Sequence, residues 1–109
     1  MEYGLSDQQL QQLQEVFARY PQVERVILYG SRAKGNYRAN SDVDITLVGS
    51  LLTKTDLNNI DNEIDDMLFP FFFDISLMHH ISNNDLLEHI QRVGKVLYEN
   101  TINKNGRPE

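Results

Sequence analysis

The chain contains no cysteine. That excludes disulfides and cysteine-ligated metal centres, and it fits a cytoplasmic location. No apolar run approaches the roughly 18 residues needed to cross a membrane. Residues Met1 to Ser6 offer neither a basic start nor an apolar centre, so no secretion signal is expected. A basic excess is missing too: ten Lys and Arg stand against sixteen Asp and Glu, giving a net charge of −6. Domains that grip duplex nucleic acid through its phosphates are ordinarily basic, so stable duplex binding is not expected. There is no internal repeat, low-complexity tract or linker. At 109 residues there is room for a single core and none for a second domain.

The residues that are present alternate between helix and strand signals. Leu10, Leu13, Phe17 and Tyr20 recur at three- and four-residue steps and predict a helix over 6–20. Ser6 is its cap, with Gln9 completing a capping box and Pro21 closing it. Residues 24–29 and 42–48, rich in β-branched side chains, predict two strands. A second long helix is expected over 53–68, capped by Thr53 with Asp56. The apolar run 71–78 predicts a third strand, buried on both faces, in which Asp74 is a costly interruption unless paired or bound to a cation. Ser82 is the expected cap of a last helix ending at Gly94. Lys95 to Tyr98 forms a short edge strand, and a polar tail follows from 100. The expected organisation is one domain over 1–99 and a tail over 100–109. Its class is α/β (α+β), with three core strands and helices packed against them.

The most informative stretch runs from Gly30 to Asp44. Gly30 lets backbone approach a phosphate closely. Ser31 adds a hydroxyl at a helical start, where free amides point at an anion. Arg32, Lys34 and Arg38 follow with no acid among them, as groups able to neutralise phosphate charge. Asp42 and Asp44 then close the stretch at the entry to a strand. Side chains alternate along a strand, so both carboxylates share a face, with Cα atoms roughly 6.6 Å apart. A third strand could bring Asp74 beside them. Three carboxylates at one point repel one another, and magnesium, which takes one or two carboxylates together with substrate phosphates, relieves that repulsion. Two such ions can clamp an in-line phosphoryl displacement. The bland reading of the turn alone is an ordinary Gly-Ser turn with solvated basic residues. Gly-Ser, ten residues and Asp-x-Asp together arise by chance on the order of a few times in a thousand such chains.

Gly30-Ser31, ten residues, then Asp42-Val43-Asp44 resembles the signature of the DNA polymerase beta-like nucleotidyltransferase superfamily. The local form Gly-Ser-Arg-Ala-Lys-Gly resembles its smallest members, the minimal nucleotidyltransferase (MNT) antitoxins. The resemblance implies a small mixed sheet and a nucleoside triphosphate substrate, with ATP the family expectation. It also implies two Mg2+ ions and transfer of a nucleoside monophosphate to a hydroxyl. Gly30 and Ser31 would hold phosphate, Asp42 and Asp44 the metals, and Asp74 would complete the site. The implied partner is a small helical HEPN-domain toxin, and the implied reaction is adenylylation of a tyrosine on it. Two alternatives remain: neutralisation of the partner by stoichiometric binding without catalysis, and transfer to a small-molecule or RNA hydroxyl.

Other candidates carry less. His79 and His80 adjoin at a strand end and point opposite ways on an extended chain. His89, mid-helix, is expected to face solvent. The phenylalanines at 69 and 71–73 read as core. Tyr29 and Tyr37 flank the turn.

Overall fold

A computed structural model describes residues 2–100. The expected tail over 101–109 lies outside the described residues. Asn100 continues the last strand's pairing, its N–H donating to the Glu24 carbonyl at 2.9 Å. Among the described residues no helix is long and apolar enough to cross a membrane.

The order of elements is α1 (Asp7–Ala18), β1 (Arg25–Tyr29), α2 (Gly30–Lys34), β2 (Val43–Val48), α3 (Lys54–Asp66) and β3 (Phe73–Leu77). A 3-10 turn (Met78–His80), α4 (Asn84–Val93) and β4 (Lys95–Glu99) complete it. Local chemistry sets the helix starts. Ser6 and Gln9 form the reciprocal capping box of α1, and Thr53 and Asp56 that of α3. In each, one side-chain oxygen takes a free first-turn amide while the other returns to the cap's own N–H. The start of α4 falls one residue later than the sequence predicts. Asn83, not Ser82, accepts from the Asp85 and Leu86 amides.

The four strands form one sheet in the order β3-β2-β1-β4. β1 runs antiparallel to both β2 and β4, and β3 runs parallel to β2 across the α3 crossover. Strand parity divides the side chains. Val26 and Leu28 of β1 meet Leu47 and Ile45 of β2, and Val43, Ile45 and Leu47 meet Phe73, Ile75 and Leu77 of β3. These residues join Leu13, Val16, Phe17, Ile60 and Ile64 of α1 and α3 in a single core. α1 is tied to α3 as well through Glu63, which accepts from both Arg19 and the Tyr20 hydroxyl. The hydrogen bond to Glu63 pushes the Tyr20 hydroxyl up to about 12, with burial adding to the shift. α4 packs on the opposite face, against β1 and α2.

The third strand departs from expectation. It is an edge strand, not one buried on both faces. Asp74 is exposed, and Phe72 just before the strand is 81% exposed. The apolar run looks buried in sequence because Phe69, Phe71 and Phe73 pack on one another, with ring centroids 5.4–5.7 Å apart, Phe69 and Phe71 stacked and Phe73 tilted against both. That cluster is local to the end of α3 and leaves the outer edge open. Being solvated, Asp74 needs no partner to be tolerated.

Candidate active site

The antiparallel pairing of β1 with β2 ends at Tyr29 opposite Asp44. Gly30 and Ser31 therefore leave the sheet at the point where the acids enter it. β3 begins at this same end and sets Asp74 directly beside Asp44. In a parallel pair, aligned residues point to one face, so Asp44 and Asp74 project together. Thr46 and Ser76, next along that face, are bonded hydroxyl to hydroxyl at 3.0 Å. Asp42 precedes β2 and is exposed.

Asp44 is half-buried, and its carboxyl is pushed above the usual carboxylate range. Burial is the main cause, followed by the neighbouring Asp74 and Asp42 carboxylates. The buried Tyr29 hydroxyl is likewise raised, first by burial, with Asp74 and Asp44 adding to it and a hydrogen bond to Ser76 opposing it. Negative charge is thus gathered beside the end of β1. Among the described residues no three acids or histidines close into a ready-made metal cage. The donor set nevertheless fits magnesium, which binds through one or two carboxylates and takes its other ligands from water and substrate phosphate. The acids do not line either of two clefts, of about 500 and 400 Å3, found at α1–β4 and beside the phenylalanine cluster. They stand on an open face at an open edge.

The turn before them is geometrically exacting at Gly30. Its φ is +75°, and a Cβ there would sit 2.3 Å from Asp44 Oδ2. Gly35, the left-handed cap that ends α2, has φ +87° but open space around it. Gly35→Ala should therefore lose only the backbone cost, about 1–2 kcal/mol. Gly30→Ala is expected to lose that and more, since the new methyl must displace the Asp44 carboxylate. Parallel thermal melts of the two variants check the difference.

Of the basic residues expected to meet phosphate, Lys34 and Arg38 are exposed. Arg32 is not available for that role, and here the expectation is corrected. It is 1% exposed, and its guanidinium is taken up by backbone carbonyls. Nη1 donates to Tyr3 O at 2.9 Å, Nη2 to Ser41 O at 2.8 Å and Ala39 O at 3.2 Å, and Nε to Ser41 O at 3.1 Å. The cation also lies over the rings of Phe71 and Tyr37, 4.5 and 5.4 Å from their centroids. Burial pulls its pKa down, with Tyr37 and Asp42 opposing the shift. Arg32 instead braces the loop that delivers Asp42.

His89 was not singled out by sequence, where a mid-helix histidine reads as surface. α4 turns it inward, and its Nε2 accepts the Gly30 N–H at 3.1 Å. Its ring stands edge-on to Tyr29 with centroids 6.1 Å apart. An amphipathic helix with His89 next to the buried Ile90 is the only local hint, and it does not name the partner. The His79 and His80 rings lie 4.4 Å apart rather than pointing apart, because the chain has left the strand for a 3-10 turn.

The family described as "Polymerase beta, Nucleotidyltransferase" matches residues 11–103. No curated protein matches the chain. Several solved structures share its fold. A toxin–antitoxin crystallised with AMP-PNP aligns at TM-score 0.69 and 19% identity, over 84% of this chain and 73% of that one. A mutant of the toxin–antitoxin MntA-HpeT aligns at TM-score 0.66 and 18% identity, over 88% and 75%. A tri-AMPylated Shewanella oneidensis HEPN toxin in complex with MNT antitoxin aligns at TM-score 0.57 and 16% identity, over 84% and 73%.

Proposed function

Since the chain belongs to the polymerase beta nucleotidyltransferase family, we propose that it is a minimal nucleotidyltransferase antitoxin that moves AMP from ATP to a tyrosine hydroxyl of a HEPN-domain toxin. The observation that carries this reading is the register of β3 against β2, which sets Asp74 beside Asp44 at the end of the sheet where Gly30 and Ser31 emerge. The similarity to a tri-AMPylated HEPN toxin bound to an MNT antitoxin supports the choice of acceptor. The similarity to a toxin–antitoxin with AMP-PNP supports the choice of an adenine nucleotide.

In this reading the Gly30–Ser31 turn binds the phosphates with its backbone and the Ser31 hydroxyl. Lys34 and Arg38 neutralise charge on the outer phosphates. Asp42 and Asp44 would hold two Mg2+ ions, with Asp74 as a further ligand to one of them, and the metal would supply charge neutralisation of the triphosphate and a lowered pKa for the attacking hydroxyl. The acceptor oxygen forms a bond to the α-phosphorus, the bond from that phosphorus to the bridging oxygen breaks, and pyrophosphate leaves. The hydroxyl proton passes to an Asp74 carboxylate oxygen. Asp74 suits the task because it sits on an edge strand, exposed to whatever approaches from outside. The chain brings the nucleotide side of the site, and the partner brings the hydroxyl.

The test is the intact mass of the small protein that copurifies with the tagged chain from its native cell. The wild type is expected to bring down a partner heavier by whole AMP units, and the Asp42→Ala, Asp44→Ala double mutant an unmodified one. An unmodified partner with both would favour neutralisation by binding alone. No partner with either would favour a small-molecule or RNA acceptor.

A further inference from the structure

We infer that His89 is a positioning residue of the nucleotide site, holding the Gly30 amide so that the Gly30–Ser31 turn is fixed before nucleotide arrives. The inference rests on the function proposed above and adds a residue from a distant helix to it.

Three observations converge on this side chain. Its Nε2 accepts the Gly30 N–H at 3.1 Å, which requires a neutral ring with its proton on Nδ1. Its ring packs edge-on against Tyr29, the residue before the turn, at an interplanar angle of 82°. Its α4 helix packs on both β1 and α2, the two elements that the turn joins. One imidazole thus touches the turn from both sides of the Tyr29–Gly30 peptide.

The position matters because Gly30 has little freedom to spare. Its left-handed φ brings its Cα against Asp44, where even a methyl would lie 2.3 Å from the carboxylate. A small rotation of the Tyr29–Gly30 peptide would move the Ser31 hydroxyl and alter the approach to Asp44 together. A neutral nitrogen acceptor blocks that rotation. It also occupies the amide, which then does not compete for the Asp44 oxygens that a cation needs. Since Nε2 is engaged with backbone, the ring acts through the turn and does not contact the transferred group.

His89→Ala removes the acceptor. His89→Gln keeps one, because the Gln Oε1 reaches about as far from the backbone as the imidazole Nε2. The loss of one hydrogen bond of this kind is expected to raise the calorimetric Kd for magnesium-ATP, and the KM for ATP in transfer to the partner, about five- to tenfold. kcat at saturating ATP should change far less, because the reacting groups are untouched. His89→Gln should recover most of the affinity. A purely structural role would lower the melting temperature without the split between KM and kcat and without rescue by Gln. The inference is overturned if folded His89→Ala binds magnesium-ATP as tightly as wild type. It is equally overturned if folded His89→Gln binds as poorly as His89→Ala. Should His89→Ala fail to fold, the Gln variant decides alone: wild-type affinity supports the inference and weakened affinity removes it. A wild type that binds magnesium-ATP but transfers nothing would instead count against the proposed function, leaving the binding measurement to judge His89.

Discussion

The Asp44→Ala variant is expected to transfer no measurable nucleotide while remaining folded. On the proposed metal role, losing this carboxylate removes several kcal/mol of transition-state stabilisation. At tenfold per about 1.4 kcal/mol, the rate falls by about a thousandfold or more. The stability effect runs the other way, and its sign follows from the environment of the side chain. Burial and the Asp74 and Asp42 charges raise the folded-state pKa of Asp44 above its unfolded value. The folded protein therefore holds that proton more tightly than the unfolded chain does. This contribution favours folding at low pH and is lost as pH rises through the folded-state value. At neutral pH without divalent cation, the ionised carboxylate opposes folding. The near-isosteric Asp44→Asn should accordingly melt at or above the wild-type temperature at pH 7, and the difference should vanish in acid. Activity assays with Asp44→Ala and paired melts with Asp44→Asn check both halves. Retained transfer by Asp44→Ala would sink the proposed metal role, and a large drop in the melting temperature of Asp44→Asn would show that the carboxylate is structural.

The Arg32→Ala variant is expected to lose much of the stability of the whole domain. Its guanidinium supplies all four hydrogen bonds described above, and every acceptor is a backbone carbonyl rather than an acid. Removing it takes donors from the Tyr3, Ala39 and Ser41 carbonyls, of which those of Tyr3 and Ser41 belong to partly buried residues, and an unsatisfied buried group costs about 1–3 kcal/mol. It also opens a space beneath Phe71 and Tyr37. A total of about 3 kcal/mol or more corresponds to a fall of roughly 12–24 °C in melting temperature for a domain of this size. Arg32→Lys should recover less than half, because a single ammonium cannot serve carbonyls on both the N-terminal segment and the 39–41 loop. A melt within about 3 °C of wild type would contradict this account of a small domain. So would a selective loss of nucleotide affinity at unchanged stability, which is the signature of a phosphate ligand.

Arg32 also illustrates what one sequence can and cannot reveal. In sequence it belongs to a basic run with Lys34 and Arg38, and nothing local separates the three. What separates them is long-range: α2 aims Arg32 at the N-terminal segment and the phenylalanine cluster, while its neighbours face solvent. The same division holds elsewhere. The capping boxes at Ser6 and Thr53 were readable because cap and partner lie three residues apart. The register of β3 against β2 sets Asp74 beside Asp44, whereas Asp42 falls one residue before β2, outside the strand whose parity was expected to place it. That β3 is an edge was not readable, since mutual packing of phenylalanines and burial in a sheet give the same apolar run. His89 was hidden for a similar reason. Its partner is a backbone amide far away in sequence, and an amide leaves no mark in the side-chain pattern.

The parallel pairing of β3 with β2 has a consequence for how the molecule comes into being. The β1–β2 hairpin closes a short loop and brings Tyr29 to Asp44 through contacts near in sequence. The β2–β3 pair must wait for α3 to cross the sheet, and non-local parallel pairings of this kind form slowly. During synthesis from the N-terminus, a nascent chain that has emerged as far as Met67 carries Asp42 and Asp44 but not Asp74. One that has emerged as far as His80 still lacks the helix that holds Gly30. On the roles proposed here, the site is assembled only once β3 and α4 have joined the β1–β2 hairpin.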